Sequence, residues 1–176
     1  MPTNIKRIAV IVAMESELQH LPGLPEVPSR TDSPWPSTTW SRGRLEITAV
    51  LCGIGMIRAA AATEATIIAK APDAVLNFGC TGSHRREVNV GDVVIGTRSV
   101  AHTSMVIGPD GTSRFDLHDG REAPPPGETG VSSDPNLLRA AREAARGWTP
   151  EPWRAASEHP AARIHEGVVA SADVWT

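Results

Sequence analysis

No apolar run in these 176 residues approaches the roughly 18 needed to cross a bilayer as a helix. The opening MPTNIKR passes directly into a strand pattern, without the layout of a secretory leader. Basic residues are not in excess: 17 Lys and Arg stand against 20 Asp and Glu, a net charge of −3, which gives no reason to expect a nucleic-acid partner. Cysteine is scarce. Cys52 and Cys80 each end an apolar run, where a disulfide is conceivable but buried free thiols in a reducing compartment fit better. His84, His102, His118, His159 and His165 are scattered, and no pair has metal-site spacing, so no metal is expected. There is no internal repeat and no low-complexity tract beyond the prolines. These absences leave a soluble cytoplasmic protein of one domain, with 40% hydrophobic residues to fill a sizeable core and no membrane association.

What is present alternates between strand and helix patterns. Ile5 to Ala13 has no polar residue after Arg7, as expected of a strand covered on both faces. Glu15 to Leu21 predicts a short helix closed by Pro22 and Gly23, and residues 22–38, with five prolines, read as an irregular loop. TTWSRGRLEITAVLC predicts a hairpin turning at Gly43, with its second strand from Leu45 to Cys52. GIGMIRAAAATEATIIAK is the clearest helix, with Met56, Ala60, Thr63 and Ile67 at helical spacing on one face, ended by Pro72. Strands follow at DAVLNFG and GDVVIGTRSVAH, and residues 108–133 read as a long surface excursion. Asp134, Pro135 and Gly147 punctuate a further helix, and RIHEGVVASADVWT is the last strand. The pattern is that of an α/β layer fold, which by itself names no function.

Three stretches could carry chemistry. The first is the turn after the opening strand, where RIAVIVAMESEL runs into Glu15 and Glu17. These are either ordinary first-turn carboxylates favoured by the helix dipole, or groups at the carboxyl end of a parallel strand, where α/β sheets place their ligands and a carboxylate can handle water. The second, Cys52 to Gly55, could bring backbone N–H groups to a ligand, though close strand–helix packing explains two glycines equally well. The third, Asn77 to Ser83, combines small residues with the polar side chains of Cys80, Thr81 and Ser83; nothing in the sequence marks a base that would make Cys80 a nucleophile.

Taken together, IAVIVAMESEL, CGIGMIRAAAATEATII, AVLNFGCTGSHRREVNVGDVVIG and GVVASADVWT resemble, in order and spacing, the purine nucleoside phosphorylase/uridine phosphorylase superfamily. Within it the chain looks most like the methylthioadenosine/S-adenosylhomocysteine nucleosidases. The likeness covers most of the chain except residues 22–38 and 103–133. It implies a single-domain, three-layer α/β fold over residues 1–176, with a central mixed, mostly parallel sheet flanked by helices. The implied activity is hydrolysis of the N-glycosidic bond of an adenine nucleoside, with no cofactor. Residue by residue, it implies that Glu17 activates the attacking water and that Met14 lies beside the ribose. Cys80, Thr81 and Gly82 would form the small-residue turn at the substrate. Trp175 would stack on the purine, while the backbone of Thr176 reads its edge. Cys80 stands where the family usually has Ser. Asn77 stands where phosphorylases of the superfamily place an Arg, which with the acidic first loop favours water over phosphate as nucleophile.

The resemblance also implies a homodimer paired through the long helix and the strand ending near His102, the Ala-rich face from Ala59 to Ile67 packing on its copy; that face could equally cover its own sheet. Family members continue with a Met-Glu pair for the ribose hydroxyls and a Ser-Asp pair whose Asp protonates the leaving purine. Neither follows Thr176, and Asp173 aligns with a different residue. The chain therefore reads as a fragment or as a truncated, inactive form; a last strand left without neighbours favours the fragment. Rival readings are a futalosine hydrolase or a nucleotide-directed nucleosidase, for which Arg85–Arg86 is the available basic pair, another phosphorylase of the fold, or a non-catalytic nucleoside-binding protein.

Overall fold

A computed structural model describes residues 5–25, 34–101, 105–107, 109–110, 113–115, 130–148 and 161–171. These fall into two compact units, Met1–Gly82 and Ser83–Thr176. Among the described residues no helix is long and apolar enough to cross a membrane.

The first unit is built on β1 (Arg7–Val12), α1 (Glu15–Leu18), β2 (Ser37–Arg42), β3 (Leu45–Leu51), α2 (Met56–Lys70) and β4 (Ala74–Phe78). Its sheet has the order β2-β3-β1-β4, with β1 parallel to both neighbours and β2 antiparallel to β3. A strand hydrogen-bonded on both sides and covered on both faces must be apolar throughout, which is why the AVIV run is buried from Ala9 to Val12. Alternate residues serve opposite layers. Val10 and Val12 pack with Leu18 of α1, Ala49 and Leu51, while Ile11 packs with Val50, Cys52 and Ala62 of α2. Helix α1 thus covers one face and α2 the other. The β2–β3 hairpin turns through Gly43, whose φ of +60° suits a residue without a β-carbon. Thr39 and Thr48 share a hydroxyl hydrogen bond of 2.9 Å across the pair.

Helix α2 ends where expected: Ala71 turns left-handed at φ 41° just before Pro72. The face that covers the sheet is not the one on which Met56, Ala60, Thr63 and Ile67 line up at helical spacing. Ala62 and Thr66 are buried and Ala59 packs beside them, whereas Ala60 and Ile67 are exposed. Alanines occur on all sides of this helix, so their spacing gives little contrast between faces. Helix α1 is shorter than the predicted Glu15–Leu21, giving way to turns from Gln19.

The second unit contains β5 (Val93–Ala101), β6 (Met105–Ile107), β7 (Ser113–Phe115), β8 (Val131–Ser132), α3 (Pro135–Arg146) and β9 (Ile164–Ser171). Strand β5 pairs in parallel with β9 and antiparallel with β8, with a bulge between Gly96 and Arg98; β6 and β7 form a separate hairpin. Among its described residues, the excursion read at 108–133 carries two short strands, too brief to register as a pattern. Asp134 caps α3 by accepting from the N–H groups of Asn136 and Leu137 at 2.8 and 3.0 Å. Arg142 of α3 donates through Nε and Nη2 to the two carboxylate oxygens of Glu166 on β9, at 2.8 and 2.6 Å. Asp92 accepts from Asn89 N–H (2.9 Å), Arg163 N–H (2.8 Å) and pairs with His165 Nε2 (2.8 Å), tying the turn before β5 to the start of β9. No pattern of alternation announces that knot in the sequence.

Candidate active site

Because β1, β3 and β4 are parallel and in register, with Val12 opposite both Leu51 and Phe78, their carboxyl ends share one edge. The segments that follow, Ala13–Glu17, Cys52–Gly55 and Gly79–Gly82, therefore leave the sheet side by side, at the place where parallel sheets bind ligands. These are the three stretches singled out in the sequence.

The two glutamates of the first segment part company there. Glu15 is exposed, whereas Glu17 is only 6% exposed. A buried carboxylate must be satisfied by donors. The backbone N–H of Met14 donates to its Oε2 at 3.0 Å, and that of Cys80 donates to its Oε1 at 2.7 Å. The first bond is the reciprocal half of a capping arrangement at the start of α1. The second crosses the sheet edge from a residue 63 positions away. Glu17 thus serves α1 as a first-turn acid and is also fixed to the turn after β4. Each oxygen keeps a lone pair beyond its backbone donor.

Met14 is half-buried, and Cys80, Thr81 and Gly82 are exposed on the turn. The structure brings Met14, Glu17 and Cys80 into contact, with Thr81 and Gly82 following on the same segment. Trp175 and Thr176 lie outside the described residues. Cys80 meets Glu17 through its peptide N–H, a donor that does not depend on the side chain at this position. Both cysteines are free, Cys52 buried but Cys80 exposed, which corrects the reading of two buried thiols. Burial pushes the Cys52 thiol above its ordinary range; the negative charge of Glu17 acts in the same direction and Arg58 in the opposite one. Cys52 therefore stays a thiol, its Sγ donating to Gly53 O at 3.1 Å. Asn77 turns its amide back onto the sheet, donating to Ile11 O at 3.5 Å. Arg85 of the second unit is held in an ion pair by Glu87. Among the described residues no three His, Cys, Asp or Glu side chains gather as a metal site.

The family model of the phosphorylase superfamily matches residues 7–176, a span that includes this buried acid and the small-residue turn joined to it. The chain belongs to the phosphorylase superfamily and has its nucleoside phosphorylase-like α/β fold. It is 27% identical over 174 residues to the 5′-methylthioadenosine/S-adenosylhomocysteine nucleosidase of Chromohalobacter salexigens, covering 97% of this chain and 65% of that protein. The crystal structure of the corresponding nucleosidase from Neisseria meningitidis, in complex with methylthio-immucillin-A, superposes with a TM-score of 0.68 at 28% identity, over 97% of this chain and 66% of that one. Futalosine hydrolase of Helicobacter pylori aligns with a TM-score of 0.68 at 20% identity, over 97% of this chain and 65% of that one, a likeness of fold alone. The chain thus spans just under two thirds of the length of these proteins.

Proposed function

We propose that the protein hydrolyses the N-glycosidic bond of adenine nucleosides such as methylthioadenosine or S-adenosylhomocysteine, releasing adenine. The observation that carries this reading is the carboxylate of Glu17, buried and held by two backbone N–H groups at the carboxyl edge of the sheet. In the proposed reaction Glu17 takes a proton from water as the water oxygen bonds to the anomeric carbon, and the bond from that carbon to the purine breaks. The ribose gains cationic character, which a fixed anion stabilises. The leaving base needs a proton donor, as in glycoside hydrolysis, and we assign that donor to the part of the relatives that this chain does not span.

A carboxylate at the nucleophile position repels a phosphate dianion but suits water, which supports hydrolysis over phosphorolysis. We further read residues 1–176 as one nucleoside phosphorylase-like domain of a cytoplasmic homodimer that takes a small-molecule nucleoside and neither nucleic acid nor membrane. Part of the Ala-rich stretch covers the chain's own sheet, as Ala62 and Thr66 show, but α2 also exposes Ile57 and Ile68 at 80% and 74%. Exposed isoleucines on one helix support packing against a second copy. The test is adenine release from methylthioadenosine by the complete protein in phosphate-free buffer, with free methylthioribose as the second product. Release that requires phosphate and yields a sugar 1-phosphate would overturn the reading. Preference for another nucleoside, futalosine included, would keep the chemistry and change the substrate.

A further inference from the structure

The carboxylate of Glu17 rests on Gly79. A β-carbon built there would stand 2.9 Å from Oε1, 3.1 Å from Cδ and 3.2 Å from Oε2 of Glu17. Gly79 does not have a positive φ, so backbone freedom is not what places glycine at this position. The requirement is space. Three carboxyl atoms occupy the volume that any side chain would need, and the peptide that follows Gly79 supplies the N–H of Cys80, 2.7 Å from Oε1.

We propose that Gly79 is a positioning residue for Glu17: the missing side chain forms a socket that seats the carboxylate on the Gly79–Cys80 peptide. This inference rests on the reading of Glu17 as the group that handles water. The atoms that a β-carbon would displace are the far end of a flexible side chain. Gly79→Ala should therefore fold, with the carboxylate pushed off its donor. Misplacing a reacting group by about 1 Å can cost on the order of 100-fold in rate.

The experiment is a double-mutant cycle in the complete protein. Gly79→Ala should lower kcat by about 100-fold with a much smaller change in KM. In a Glu17→Gln background the same substitution should cost less than about threefold, since the group it displaces no longer works. Gly167→Ala on β9, whose β-carbon would meet nothing nearer than Val94 Cγ1 at 3.8 Å, should leave turnover unchanged. A second readout does not depend on activity. Hydrogen exchange of the Cys80 amide, followed by NMR, should quicken by at least about tenfold in both Gly79→Ala and Glu17→Ala, because each removes the same acceptor. Equal losses of kcat in the two backgrounds, or unchanged Cys80 exchange in Gly79→Ala, would overturn the socket. If Gly79→Ala fails to fold, Gly79→Ala/Glu17→Ala should fold, the clashing group being gone; failure of both also overturns it. Absence of adenine release from the unaltered protein would instead sink the functional reading, and amide exchange would still decide the socket.

Discussion

Glu15 and Glu17 sit two positions apart on one four-residue helix, yet one is exposed and the other buried between two backbone donors. Their glutamine variants should separate sharply. Glu17→Gln keeps the size of the side chain but loses its charge, and turnover should fall ~100- to 10,000-fold with little change in binding. Glu15→Gln should change stability by about 0.5 kcal/mol or less and leave turnover near normal. Steady-state kinetics of both variants in the complete protein checks this; equal, small effects would reduce the pair to helix-capping acids. Asp92 offers a second prediction at this scale. The backbone N–H groups of Asn89 and Arg163, then His165, hold its carboxyl down at about 2. A depressed carboxyl stabilises the fold above its unfolded value of about 3.9, and that contribution is lost as pH falls toward 2. Urea midpoints measured from pH 6 to pH 2 should therefore fall more steeply in the unaltered protein than in Asp92→Asn. The sequence singled out the turn that carries Glu17, but not that Glu17 alone of the two acids is buried there. The close approach of Gly79 to that carboxylate was hidden inside a motif already read, because the group it meets lies 62 positions earlier in the chain.

Among the elements, those with strong contrast were legible. Strand β1 announced itself as an unbroken apolar run because both of its faces are covered. Helix α3 did so through Asp134, Pro135 and Gly147 at its ends. The inner face of α2 was not legible, since alanine occurs on every side and the isoleucines lie on the exposed side; the structure puts Ala62 inside and leaves Ala60 exposed. The two faces can be told apart by volume. Ala62→Leu, forced against Ile11 and Val50, should destabilise by ~1–3 kcal/mol, while Ala60→Leu on the exposed side should be close to neutral. Chemical denaturation of the two variants gives the comparison, and equal effects would mean that the helix is rotated. Strands β7 and β8 escaped because two or three residues carry no measurable periodicity.

At the scale of the whole molecule, the alternation of strands and helices indicated the α/β class, but pairing between distant strands is set by tertiary contact and could only be inferred through resemblance. The isoleucines exposed on α2 give the assembly a direct test. Ile57→Glu combined with Ile68→Glu should convert a dimer to a monomer in light scattering at micromolar concentration without unfolding the chain, both positions being exposed. A monomer before substitution would remove the dimer from the proposal.

The central place of β1 also dictates an order of events. The β2–β3 hairpin closes through a two-residue link, whereas β1 must find β4 across 66 positions, as from Ile11 to Asn77. Loop closure makes short-range pairs cheap and long-range ones slow. The expected order therefore puts the hairpin in the early part of folding and the seating of Glu17 on the turn after β4 at its end, which stopped-flow refolding and unfolding of variants would check. Substitutions at Thr39 or Thr48 should slow refolding, while Gly79→Ala should leave its rate almost unchanged and quicken unfolding. A chain caught short of that final step would hold most of its secondary structure with the Glu17 carboxylate still unseated.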